Sequence, residues 1–151
     1  MAEIQDSTIT QDERTMATLA HALQVVGWWV APLIIFLVQR KSRFVSFHAL
    51  QALLLQICYL VLMMVFMVLW FALIFTTIVQ HGGDKGAPPP AFLLVIPLVW
   101  LGFMGAWIFV LVVAIVYAIK AGRGEWANYP IIGRITRSLL CMPPTGMPDS
   151  L

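Results

Sequence analysis

Two tetrapeptides of identical sequence, His-Ala-Leu-Gln at 21–24 and 48–51, carry the side chains best suited to chemistry in this chain. On a helix, each places an imidazole and an amide one turn apart on the same face. A buried imidazole can ligate the metal of a haem or chlorophyll-type pigment. It can equally hydrogen-bond across membrane helices or to headgroups. Both roles are open for His21 and His48 as single cofactor ligands. The two are expected at different depths of the membrane, which speaks against one shared metal site. Cys58 and Cys141 are also far apart in the expected topology, so no disulfide is expected. The chain has no Gly-x-Ser-x-Gly, His-Glu-x-x-His, phosphate-binding glycine loop or Cys-x-x-Cys. The expectation is a protein that is not an enzyme, with no metal and no resident cofactor.

The elements that must position these residues follow from composition. The 151 residues are 61% hydrophobic and 11% charged, with a mean hydropathy of +0.90. Soluble domains carry about 45–50% apolar and about 25% charged residues. A soluble globular protein is thereby excluded, and a net charge of +2 gives no sign of nucleic acid. Three runs, 15–39, 44–79 and 88–119, contain no Asp, Glu, Lys or Arg. A carboxylate proton relay or an ion-coupled carrier therefore has no visible machinery. In lipid, runs this long can satisfy their backbone only as helices. The fold class is all-α, a single membrane domain over 1–151 with three transmembrane helices at about 16–38, 57–79 and 91–119. Residues 44–56 carry Ser46, His48, Gln51 and Gln56 and are assigned to an interfacial extension of the second span, preferably on one continuous helix. Pro32 is expected to kink the first span. Thr10 and Glu13 fit a capping box that starts the first helix near residue 11. The polar stretch before it, without a basic segment, does not read as a signal peptide, and Gly and Pro make 80–90 a connector.

Lys and Arg set the orientation. Arg40, Lys41, Arg43, Lys120, Arg123, Arg134 and Arg137 share one side of a three-span chain, against Arg14 and Lys85 on the other. The amino terminus is placed outside and the tail, 120–151, in the cytoplasm. Within that tail Pro130 is expected to open a short amphipathic helix, with Ile131, Ile132, Ile135 and Leu139 opposite Arg134 and Arg137. Trp126 and Tyr129 are expected at headgroup level, making the segment interfacial.

The pieces DERTMATLAHAL (12–23), RFVSFHALQALLLQ (43–56) and GRGEWANYPIIGRI (122–135) resemble a bacterial family of small multi-pass membrane proteins of unknown function. That family is remotely similar to the channel-type subunit of the chloroplast inner-envelope import translocon. The resemblance implies a multi-spanning helical protein of the bacterial cytoplasmic (inner) membrane, and it supplies no catalytic residues. Gly102, Gly105 and Ala106 form a small-residue patch suited to close helix approach. Met63, Met64 and Met67, with Trp70, form an adaptable apolar surface for lipid or a partner helix. The partners expected are membrane lipid and other membrane protein subunits, with no soluble substrate. The first reading is therefore a non-catalytic accessory or structural subunit of a larger membrane complex. A small translocation or transport pore is the alternative, and a pigment- or haem-binding subunit is the third.

Overall fold

The computed structural model describes residues 9–81 and 90–141, and every regular element among them is helical. The 80–90 connector and the two ends of the chain fall largely outside the described residues. Five helices follow in order: α1 (Gln11–Gly27), α2 (Val30–Val38), α3 (Arg43–His81), α4 (Pro90–Gly122) and α5 (Ile132–Leu139). The capping box forms as expected. The Thr10 hydroxyl accepts from the Glu13 N–H at 3.2 Å, and the Thr10 N–H donates to Glu13 Oε2 at 2.9 Å.

The single span expected over 16–38 is replaced by two helices broken at Trp28 and Trp29. The cause is Pro32, whose nitrogen cannot donate to the carbonyl four residues earlier and whose ring crowds it. That carbonyl belongs to Trp28. The chain turns there, with Trp28 at φ 52° and ψ −136°, a left-handed conformation that costs a bulky residue about 1–3 kcal/mol. Two helices, α3 and α4, are long and apolar enough to cross a membrane. α3 is continuous, as preferred, but its first turns do not lie exposed in an interface. Positions 44–53 and Gln56 of this helix are buried, apart from half-buried Leu54 and Leu55, because other elements cover them.

The chain divides into two compact units. One holds the residues up to Ile57 and from Val112 onward; the other is Cys58–Leu111. In the first, α1 and α2 pack against each other, and Ala17, Phe44 and Ala121 form an apolar core against which Ile9 packs. Small residues at Ala17, Ala20, Ala49, Ala52, Ala114 and Ala121 are all buried, which lets backbones approach closely. In the second unit Phe66 meets Phe103 edge to face at 4.7 Å. Most of its other large apolar side chains are exposed, as lipid-facing residues are.

Candidate functional site

The polar side chains of the first unit converge on one point, where α1, α3, α4 and the stretch after α4 meet. That stretch is aimed by a helix C-terminus. The Glu125 N–H donates to the Lys120 carbonyl at 3.0 Å and the Gly124 N–H to the Ala121 carbonyl at 2.9 Å. This is the paired pattern of a Schellman motif, with Gly124 in the left-handed position at φ 78°. From there 125–129 runs without helical hydrogen bonds, so its backbone groups need partners elsewhere.

Side chains of α3 and α4 supply them. His48 Nε2 lies 3.1 Å from the Glu125 carbonyl. Gln51 uses both ends of its amide, donating to the Ala127 carbonyl at 3.3 Å and accepting from the Tyr129 N–H at 3.1 Å. The Tyr117 hydroxyl donates to the Asn128 carbonyl at 2.8 Å. His48 and Gln51, one turn apart on α3, thus act as a clamp on an extended piece of backbone.

A second set of bonds joins this clamp to α1. His21 Nε2 is 3.1 Å from His48 Nδ1, and His21 Nδ1 is 3.1 Å from the Tyr129 hydroxyl. Direction follows from one fixed acceptor, since a carbonyl oxygen can only accept. His48 therefore carries its proton on Nε2 and, with one proton per ring, accepts at Nδ1. His21 must donate from Nε2 and accept at Nδ1, so Tyr129 donates its hydroxyl proton. The order is Tyr129 to His21 to His48 to the Glu125 carbonyl. All four imidazole nitrogens are engaged. His21, His48 and Gln51 are fully buried and Tyr129 nearly so; burial pushes the Tyr129 phenol above its ordinary range, with Tyr117 adding to the effect.

This overturns the expectation that His21 and His48 sit at different depths: α1 lies beside the start of α3, so the two imidazoles are in contact. Among the described residues no group of three His, Cys, Asp or Glu side chains could hold a metal ion. Gln24 is buried beside the Tyr129 hydroxyl, and its amide makes no well-formed hydrogen bond there. The second tetrapeptide is thus fully used and the first only half.

The remaining candidates fare differently. Tyr129, expected at headgroup level, is instead buried in this cluster. Trp126 stays part-exposed while its ring meets Phe44 at 5.2 Å and Phe47 at 5.5 Å. α5 begins at Ile132 with Ile131 as its cap, so Pro130 precedes the helix rather than opening its first turn. Ile131, Ile135 and Leu139 are exposed and Ile132 is half-buried, while the buried residues of α5 are Gly133 and Thr136. Arg134 is exposed, but Arg137 lies over the Phe47 ring and donates to Asn128 Oδ1 at 3.0 Å. Gly133 allows that packing, since a Cβ there would come within 2.8 Å of Asn128 Cβ. Gly102 and Gly105 face open space, with nothing among the described residues within 4 Å of a Cβ placed there, and Ala106 beside them is half-buried. Met64 and Met67 are exposed, Met63 half-buried. Cys58 and Cys141 are free and exposed.

A family profile matches residues 12–136, which takes in α1 to α4, the 125–129 stretch and every member of the hydrogen-bonded cluster. The chain belongs to the magnetosome magnetite crystal formation protein family. This identifies a small bacterial membrane protein family, as the resemblance implied, while nothing found supports the similarity to the import translocon. No curated protein and no solved structure matches the chain. Within the magnetosome family match, Tyr117 and Gly124 are the members of the site that sequence reading missed. Gly124, just past a basic residue at the end of an apolar run, carried the signal of a helix C-terminus.

Proposed function

We propose that the protein is a non-catalytic component of the membrane in which magnetite crystals form, serving as an accessory or structural subunit of a larger membrane complex. The observation that carries this reading is the family match over 12–136, which spans the whole of the polar site. The chemistry of the site supports it. Its imidazoles, amide and phenol are spent on each other and on backbone carbonyls, so they build a shape rather than present a reactive group. The exposed apolar sides of α3 and α4 offer surface to lipid and to helices of other subunits, with Met64, Met67, Gly102 and Gly105 on it.

The basic residues of 39–43 and of the tail support a cytoplasmic side of a bacterial membrane for both. A pore finds less support, since the polar side chains gather in one unit and Cys58–Leu111 is apolar apart from Thr76, Thr77, Gln80 and the connector. A haem or pigment ligand would require His21 or His48 to give up one of four ring-nitrogen bonds.

Removing the gene from its source organism and imaging magnetite by electron microscopy tests the role. Crystals altered in number, size or shape, and restored by the returned gene, are expected; unchanged crystals would overturn it. Extraction in mild detergent tests the partnership. A complex well above 16.9 kDa is expected, and a protein that purifies alone and monomeric would contradict the subunit reading.

A further inference from the structure

We infer that 11–39 does not cross the membrane: α1 and α2 form a re-entrant hairpin that dips into the acyl chains and returns, leaving the amino terminus on the same side as the carboxyl tail. The argument lies in the direction of α1 against its neighbours. Glu13 Oε1 accepts from the Ser42 hydroxyl at 2.7 Å, Ala17 packs on Phe44, and His21 bonds His48. Residues 13, 17 and 21 therefore meet 42, 44 and 48 in rising order, so α1 runs parallel to the start of α3. In a three-span chain, consecutive crossings would run antiparallel.

α4 gives the complementary result. Going from 14 to 18 to 21, α1 meets Gly124, then Gly122 and Ala118, then Tyr117. It is antiparallel to the end of α4, whose last turn shares the core of Phe44 and Ala17. The chain thus starts α1, starts α3 and ends α4 at one level, as two crossings between 43 and 122 require.

Length agrees. α1 has 17 residues and α2 has 9, or about 26 Å and about 14 Å of helix, so α1 is at the lower limit for a hydrocarbon core of about 30 Å and α2 is far short of it. The occupant of the hairpin tip is lipid on two grounds. Residues 15–39 carry no charge, and the apolar Val26, Trp28, Trp29 and Val30 are exposed around the turn. The charge count improves as well. Arg14 joins Arg40, Lys41, Arg43, Lys120, Arg123, Arg134 and Arg137, leaving only Lys85 across the membrane. The common side is the cytoplasm. This inference concerns topology and stands whether or not the protein acts on magnetite.

Single cysteines at Gln11→Cys, Lys41→Cys and Gly83→Cys, on a Cys58→Ser/Cys141→Ser background, test it in spheroplasts with a membrane-impermeant maleimide. Positions 11 and 41 should both be protected until the membrane is permeabilised, while position 83 reacts from outside. Reaction of position 11 from outside with position 41 protected would overturn the hairpin. Reaction of both from outside with position 83 protected would overturn the cytoplasmic assignment. A Glu13→Cys/Ser42→Cys pair gives a readout independent of reagent access. A short bis-maleimide should link the two thiols within one chain, whereas two free, reactive thiols that never link would sink the proposal. A nitroxide on Val26→Cys should be relaxed by oxygen more than by an aqueous nickel chelate; dipolar broadening between copies would instead put a second chain at the tip.

Discussion

The two units of the chain use opposite means to specify structure. In the unit built from α1, α2, the start of α3, the end of α4 and the tail, buried polar groups meet in directed hydrogen bonds, each with a single acceptable partner. In Cys58–Leu111 the helices present large apolar side chains outward, with a ring contact between Phe66 and Phe103. Lipid is as apolar as these side chains, so burying them gains little. The difference teaches where a mutation should be felt. A polar group buried without its partner costs about 1–3 kcal/mol, whereas a lipid-facing side chain exchanges one apolar contact for another.

The largest effect should come from His21→Leu, which strands His48 Nδ1 and the Tyr129 hydroxyl together. A loss of about 2–6 kcal/mol is expected from two such groups, read as a lower unfolding temperature in detergent micelles. A loss below that of Phe66→Ala would erase the contrast between the units. Tyr129→Phe keeps the ring and strands only His21 Nδ1, so a smaller loss of about 1–3 kcal/mol is expected by the same measurement.

The start of α1 sharpens the comparison at its edge. Thr10→Ala should cost about 1 kcal/mol through the lost cap. Glu13 is held below the usual carboxylate range, first by the Ser42 hydroxyl and then by the Thr10 N–H. A lowered folded-state pKa means a contribution present above the ordinary carboxylate value and lost as pH falls through the folded value. Stability followed below pH 5 should therefore decline more steeply for the wild type than for Glu13→Gln; parallel curves would show that the Ser42 bond is not made in solution.

The smallest effect is expected at Gly102→Leu. A Cβ there meets nothing, and a helical glycine costs about 1 kcal/mol relative to better helix formers, so stability should hold or rise slightly. A clear loss in purified protein would reveal a helix packed on this face.

The sequence carried the helical class, both long apolar helices and the capping box, because each depends on local pattern: charge-free length for α3 and α4, a three-residue spacing for Thr10 and Glu13. What it hid was direction. Residues 16–38 have the apolar length of a span, and nothing local says that α1 lies parallel to α3; that depends on where Pro32 deprives Trp28 of a partner and turns the chain. The site was half visible for the same reason. The spacing of His48 and Gln51 was legible, but their ligand is backbone 125–129, brought there by the turn at Gly124 and unreadable from residue types. Tyr129 was assigned to the interface by its type and buried by its hydroxyl's need for His21.

The directed chain from Tyr129 through His21 and His48 to the Glu125 carbonyl is the central claim, and nitrogen NMR of histidine-labelled protein reads it directly. Both rings should be single tautomers with the proton on Nε2, and a coupling should pass from His21 Nε2 to His48 Nδ1 across the hydrogen bond. Two rings that average their tautomers, exchange freely with water and show no such coupling would contradict it.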